Sequence, residues 1–379
     1  MAKTPCETEV FVAGGGPAGL AAAIAARQAG FEVTLVDCAQ APIDKACGEG
    51  IMPDGLAALR QLGIAIGPAT AVPFRGIRFL DDHNQVQAEF SDGVGYGIRR
   101  TSLHAAMTER AKQVGVRLFW GTRVTGLADS TIHLEDERVR YRWLICADGH
   151  NSRLRRCTGL DRSRQSSRRC GFRRHYKLTS WTDHVEVHWS DCGQMYVTPI
   201  SAQEVCVALI ARDPHLRFDE AFSHFPAMAT RLAGLTPERD YLGAITGTRR
   251  FAAVQSRNIA LVGEASGSID AVTGEGLSLA FRQALALADA LKANDLKQYE
   301  TAHRKLSRLP RFMSCLMLSM DRYPALRRRA LQAFAADPEC FQRMLAMHTG
   351  AITAADFGVW HGLTLGWNLL AGQEIQGAS

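Results

Sequence analysis

Few short segments leave a chain as little freedom as Gly14-Gly15-Gly16-Pro17-Ala18-Gly19, which here follows an apolar strand pattern and opens an alanine-rich helix pattern. Glu9–Ala13 reads as a strand, Ala18–Gly30 as a helix ended by Gly30, and Glu32–Asp37 as a β-branched strand with an acid at its end. Strand, turn, helix and strand make a βαβ unit, whose right-handed crossover sets the two strands parallel and adjacent. Each glycine has its own physical reason. Gly14 permits the tight turn, Gly16 lets the backbone approach a pyrophosphate, and Gly19 lets helix and strand pack closely. Pro17 closes the break and Ala18 begins the helix, whose free N–H groups and positive dipole end attract the pyrophosphate. Asp37 is placed to accept hydrogen bonds from ribose hydroxyls. The unit therefore predicts a dinucleotide site.

The rest of the chain says what kind of molecule surrounds that unit. Its 379 residues exceed one ordinary core and fit two domains with a helical tail. Arg100–Val114 has helical periodicity, while Val116–Trp120 and Tyr141–Ala147 read as strands, the second closing at Asp148-Gly149. From Arg173 to Arg212 the pattern alternates with turn residues, which predicts an antiparallel sheet and so a different domain. Asn258–Val262 returns to a buried strand, Gly276–Ala293 reads as a long helix, and the chain after Tyr299 reads as helical to about Gly350. No run approaches the ~18 apolar residues of a membrane span, and Met1–Val10 lacks the apolar core of a secretory signal. The ten cysteines are scattered with no Cys-x-x-Cys pair, which argues for reduced thiols in a cytoplasm and against a zinc site.

Several separated motifs, in order, resemble those of the FAD-dependent monooxygenase and geranylgeranyl-reductase superfamily, the para-hydroxybenzoate hydroxylase-like flavoproteins. The resemblance spans roughly residues 8 to 295 and includes the glycine segment, Arg100-Thr101-Ser102-Leu103, Thr122-Arg123-Val124, Ala147–Arg155 and Asn258–Ala280. It implies an α/β (α+β) fold: a Rossmann-like FAD-binding domain, an antiparallel-sheet substrate domain and a helical C-terminal segment. The expected boundaries are 1–70, 97–165 and 250–298 for the discontinuous FAD-binding domain, 71–96 and 166–249 for the sheet, and 299–379 for the helices. It further implies that Arg100 reaches the FAD phosphates, that the backbone at Val124 meets the adenine, and that Asp148 serves FAD and NAD(P)H. Gly263-Glu264 stands where the family usually has Gly-Asp, so the acceptor for the ribityl chain is one methylene longer.

Two segments are expected to bracket the flavin ring, Lys45–Pro53 and Val272–Leu277. Gly274 and Gly276 precede a helix, so their N–H groups, with Leu277 behind them, can face the N1–C2=O edge. Lys45 holds the loop or the FAD phosphates, and Gly48 is expected to contact the cofactor. Cys47 and Glu49 are the catalytic candidates. Cys47 alternatively packs as a small buried residue, and Glu49 alternatively caps a helix. The flavin carries the redox chemistry, so no residue is required to do acid–base work.

With no second Gly-x-Gly-x-x-Gly unit, NAD(P)H is expected to visit transiently, as in single-component hydroxylases of this fold group. These features point first to an NAD(P)H-dependent monooxygenase hydroxylating or epoxidising an apolar or aromatic small molecule near Val197, Pro199 and Val207. Reduction of prenyl double bonds is the alternative, and a non-catalytic flavin-binding module is a third. Halogenase chemistry is set aside because the chain lacks Trp-x-Trp-x-Ile-Pro.

Net charge is only +6, yet nine arginines crowd between Arg153 and Lys177. They form either a solvated face or a phosphate-recognition site for NADPH or a carrier-linked substrate; nucleic acid fits poorly, because stacking aromatics are few. The tail from Leu306 to Met347 reads as an apolar lid, a helix in peripheral contact with a membrane, or helices packed on the substrate domain.

Overall fold

The chain was analysed as a computed structural model, which describes residues 4–165 and 167–357. The last part of the expected helical segment, 358–379, lies outside the described residues, as do 1–3 and 166. Four sheets and a set of helices form the mixed α/β fold expected from the sequence.

The larger sheet carries the nucleotide motif. Its strands run in the order Gln255–Ser256, Ile259–Leu261, Arg138–Cys146, Glu7–Ala13, Val33–Asp37 and Arg117–Trp120. The last five pair in parallel. Parallel strands are covered on both faces, which is why Val10, Phe11 and Val12 are all fully buried. The helix Pro17–Gln28 follows the glycine turn, and Ala21 to Ala26 pack it closely onto its neighbours. The strand order reverses beside Glu7–Ala13, so a crevice opens at its carboxyl end, where the glycine turn lies. A hairpin of Val124–Ala128 and Thr131–Leu134 extends this sheet, and helix Pro53–Gln61 joins its core through Leu56 and Leu59; of these only a strand at Val124 was expected.

The second sheet has seven strands, in the order Leu242–Thr246, Arg169–Tyr176, Glu204–Ala211, Gly193–Ser201, Val185–Trp189, Gly76–Leu80 and Gln85–Glu89. Every neighbour pair is antiparallel except Val185–Trp189 beside Gly76–Leu80. The strands of the alternating stretch are antiparallel, as expected, and the parallel pair is where Gly76–Leu80 joins them. The two strands come from distant parts of the chain, so no hairpin turn forces them to oppose.

The tail forms the helices Leu296–Leu306, Arg308–Arg322, Pro324–Ala336 and Pro338–His348, two of which begin with proline. Met313, Met317 and Met320 recur at helical spacing and join Phe79, Val86 and Trp189 of the sheet in one buried cluster with Phe341 and Met344. The tail is therefore packed on the sheet. Phe312, on its outer side, is 59% exposed.

Candidate functional site

A continuous cavity of about 890 Å³ runs from the glycine turn to the tail helices. Of the residues singled out for cofactor binding or catalysis, all but Gly19 line it. Gly19 sits behind the turn, where an added Cβ would lie 1.8 Å from the Gly14 carbonyl oxygen. Gly14 has φ +114°, and a Cβ there would meet the Ala147 carbonyl oxygen at 2.3 Å. Around Gly16, Gly274 and Gly276 an added Cβ would touch nothing, so these three leave open space beside helix N-termini.

Charge and hydrogen bonding at this end suit a dinucleotide. Arg100 begins helix Arg100–Gln113, and its Nε is buried with no hydrogen-bond partner. Asp148 Oδ2 accepts from the Arg153 and Leu154 amides, which caps helix Arg153–Cys157, while Oδ1 is buried without a partner. Two orphaned groups on the wall of an open cradle fit a bound phosphate and a bound donor. Asp37 does more than the motif predicts: Oδ2 accepts from Gly15 N at 2.6 Å and Oδ1 from Ala39 N at 2.7 Å, so it also ties the turn to the second strand. Lys45 reaches Glu264 Oε2 at 2.6 Å, pairing the first bracketing segment with the Gly263-Glu264 turn across the cavity edge. Val124 begins its strand on the cavity wall.

His104 was missed. It is fully buried one turn after Arg100, with Nε2 2.8 Å from the Gly15 carbonyl oxygen and Nδ1 3.3 Å from Thr108 Oγ1. Burial pushes its imidazole down, although the Gly15 contact opposes this. The spacing of Arg100, His104 and Thr108 along one helix face was the available signal.

The two catalytic candidates differ in what the structure lets them do. Glu49 holds a left-handed φ of 59° and is 2% exposed. Oε1 accepts from Arg100 N at 2.9 Å and Arg173 Nη1 at 2.6 Å, and Oε2 lies 2.6 Å from His175 Nε2. Burial alone would raise this carboxyl; His175, the Arg100 amide and Arg173 outweigh it and hold it below its usual value. An ionised, fully engaged carboxylate is an anchor and a poor acid. Glu49, His175 and Cys206 offer atoms within 4.8 Å of one another, but the Arg173 guanidinium already occupies Glu49 and opposes a cation there. Cys47 keeps its thiol protonated: burial pushes it up, only partly offset by Arg100.

At the far end the wall is apolar, made by Phe74, Phe79, Tyr196, Met317, Phe341 and Met344 among others. Here the expected residues sit on the wrong face. Val197 and Val207 are buried with Phe218, Phe225 and Met228 on the opposite side of the sheet. Tyr196, Thr198 and Ala208 line the cavity instead, and Pro199 does not. A strand turns every second side chain to the other face, so a register error of one residue reverses the whole assignment.

The arginine-rich stretch is divided between surface and interior. Arg153, Arg156, Arg162, Arg164 and Arg168 are exposed, but Arg155, Arg169, Arg173 and Arg174 are buried. Arg155 lies 2.7 Å from Asp161 and also donates to the Ala265 and His150 carbonyls. Arg169 approaches Asp270 and Asp321, Arg173 binds Asp44 and Glu49, and Arg174 binds Asp219. These four are internal cross-links. Arg173 and His175 face Glu49 while Arg174 faces Asp219, an alternation that period-two reading could have found.

A family model described as "FAD binding domain" matches residues 7–294. A protein named menaquinone reductase from Mycobacterium tuberculosis is 27% identical over 321 residues, covering 76% of this chain and 77% of that protein. A putative 2-heptyl-3-hydroxy-4(1H)-quinolone synthase from Rhodococcus erythropolis is 27% identical over 371 residues, covering 90% of this chain and 96% of that one. Among solved structures, a flavoprotein/dehydrogenase from Cytophaga hutchinsonii superposes with a TM-score of 0.79 at 17% identity, covering 91% of this chain and 93% of that chain, which speaks to fold alone. No helix among the described residues is long and apolar enough to cross a membrane, and all ten cysteines are unpaired.

Proposed function

The chain belongs to the FAD binding domain family of flavoproteins, and from that premise we propose that it is an NAD(P)H-dependent monooxygenase acting on an extended apolar molecule. One observation carries this reading: the nucleotide cradle and the methionine- and phenylalanine-lined wall are two ends of the same cavity. Bound FAD supplies the redox chemistry, and the chain's own residues bind, orient and exclude water. The Gly16 amide, the helix beginning at Pro17 and the Arg100 guanidinium hold the pyrophosphate. Asp37 and Val124 receive the adenosine end, and Asp148 Oδ1 accepts from a hydroxyl. Lys45, Gly263 and Glu264 would hold the ribityl chain. Gly274, Gly276 and Leu277 would offer amides to the flavin ring, and Gly48 and Cys47 would pack against it. Cys47 and Glu49 are then packing and anchoring residues. The packed tail keeps water from the apolar end.

A second reading, reduction of an apolar double bond, is favoured by a different observation. The Cys47 thiol stays protonated on the cavity wall, and a reductase needs a proton donor there. A wall rich in methionine, which peroxides oxidise, also suits it.

The discriminating experiment reduces the FAD-loaded protein with NADPH or NADH, admits oxygen, and analyses the product of an apolar test substrate. Substrate-stimulated oxygen consumption with an oxygen atom in the product supports the monooxygenase. Slow reoxidation and a product that has gained two hydrogens overturns it in favour of the reductase.

A further inference from the structure

Three ionisable groups from three elements meet behind the glycines that face the cavity. Glu275 stands between Gly274 and Gly276 at the start of helix Gly276–Lys292, Asp54 lies in the first turn of helix Pro53–Gln61, and His348 ends helix Pro338–His348. Glu275 and His348 are 3% and 9% exposed, and His348 Nδ1 lies 3.6 Å from Glu275 Oε2. Neither atom has a hydrogen-bond partner, and Asp54 Oδ1 is likewise buried and unpartnered.

The bonding around the imidazole fixes where the protons are. His348 Nε2 lies 3.3 Å from the Thr273 carbonyl, which can only accept, so Nε2 carries the hydrogen and Nδ1 is left as an acceptor. At 3.6 Å the two are not hydrogen-bonded, and on closer approach only a protonated Glu275 could donate to Nδ1. Burial pushes the Glu275 carboxyl well up, reinforced by the negative charge of Asp54, and pushes the His348 imidazole down. Both partners are then neutral. The charged groups facing them, among the described residues, are Asp54 on one helix and Arg282 on another. Arg282 lies 3.5 Å from Asp54 Oδ2 and is 37% exposed, which links the cluster to solvent. His348 itself lines the cavity.

We propose that the Glu275–His348 pair is the proton reservoir of this site, taking up one solvent proton when FAD against Gly274 and Gly276 is reduced and releasing it on reoxidation. The inference rests on the FAD placement proposed above. Oxygen insertion consumes substrate, O₂, NAD(P)H and one further proton, giving oxygenated product, water and NAD(P)⁺. Reduction of a double bond consumes NAD(P)H and one further proton in the same way. In both, NAD(P)H delivers two electrons and one proton, so the second proton must enter from solvent. His348 Nδ1 accepts it, and the imidazolium then donates to the Thr273 carbonyl and to Glu275 Oε2. Its charge offsets the negative charge that reduction brings to the ring edge.

The test is the pH dependence of the midpoint potential of the FAD-loaded full chain across the neutral range. One proton per two electrons gives about 30 mV per pH unit and two protons about 60 mV. The unsubstituted protein is expected to show the steeper slope, and Glu275→Gln and His348→Gln the shallower. Equal slopes in all three overturn the proposal. A second measurement needs no folding-sensitive variant: histidine nitrogen NMR of the unsubstituted protein at fixed pH. A buried imidazole that is neutral with oxidised FAD and cationic with reduced FAD supports the reservoir; one neutral in both states overturns it. Titration of FAD separates the two failures. No uptake of FAD overturns the placement and the reservoir together, whereas FAD bound with the shallow slope overturns the reservoir alone.

Discussion

The two ends of the cavity are built from different parts of the amino acid. At the nucleotide end the wall is mostly backbone: glycines without side chains, helix N-termini and capped amides around Gly14, Gly16, Asp148 and Gly276. At the apolar end it is mostly side chain: Phe79, Met317, Phe341 and Met344, drawn from a sheet and the tail helices packed on it. A Cβ at Gly14 or Gly19 meets a fixed carbonyl, whereas at Gly16 and Gly276 it enters only the space open to a ligand. Side-chain sites tolerate change at a cost in packing, and can be reshaped without disturbing the cofactor.

The largest effect that would test this contrast is Gly14→Ala. A Cβ 2.3 Å from the Ala147 carbonyl oxygen, at φ +114°, forces the turn open. Destabilisation of about 3 kcal/mol or more and loss of FAD binding are expected, read by thermal unfolding and FAD titration. Gly16→Ala separates the two losses. Its Cβ meets no protein atom, so unfolding of the FAD-free protein should be unchanged. FAD affinity should fall about tenfold to a hundredfold as the pyrophosphate is pushed off the helix. Equal destabilisation by both variants would break the idea that the turn is shaped for a ligand.

The apolar end should behave in the opposite way. Phe341→Ala removes a 2% exposed ring that packs on Phe334 at 5.0 Å and on Phe79 at 5.1 Å. A cost of about 3–5 kcal/mol in stability is expected, with FAD affinity unchanged. Weakened FAD binding in a folded variant would mean that the tail shapes the nucleotide end too.

This division explains what could be read from the chain. Spacing of glycines survives in a sequence because each is tied to a backbone constraint, so Gly14, Gly16, Gly19, Gly263, Gly274 and Gly276 could all be located before any coordinates. The strands and helices around them were equally legible: the helices beginning at Arg100 and Gly276 start where expected. Side-chain sites leave no such trace. Val197 and Thr198 are neighbours in an apolar strand, and only the packing of helix Pro226–Leu232 on one face decides which points inward. The buried arginines were hidden for a related reason. Asp219, Asp270 and Asp321 lie far along the chain from the arginines they neutralise, and a local charge run cannot show them.

The sheet's buried ion pairs should also show in acid. Burial alone would raise the Glu186 carboxyl, but His188, Trp181 and Arg78 pull it from 4.5 down to about 2. A depressed folded value means stability that is present above the unfolded value of 4.5 and lost as pH falls toward about 2. The contribution is on the order of 2–3 kcal/mol. Glu186→Gln should flatten the acid limb of a stability-against-pH curve while leaving FAD binding intact.

The smallest effect is also the most local, because it lies between two adjacent residues. Val197→Thr puts a hydroxyl among Phe218, Phe225 and Met228, where nothing apolar can satisfy it, and about 1–2 kcal/mol of stability should be lost. Since Val197 does not line the cavity, KM should not move. Thr198→Val keeps the shape and removes a hydroxyl from the cavity wall. Unfolding should change by less than about 0.5 kcal/mol, while KM for an apolar substrate falls about two- to tenfold. If instead Val197→Thr shifts KM and Thr198→Val does not, the substrate lies on the other face of the sheet. The apolar end of the cavity would then serve something other than the substrate.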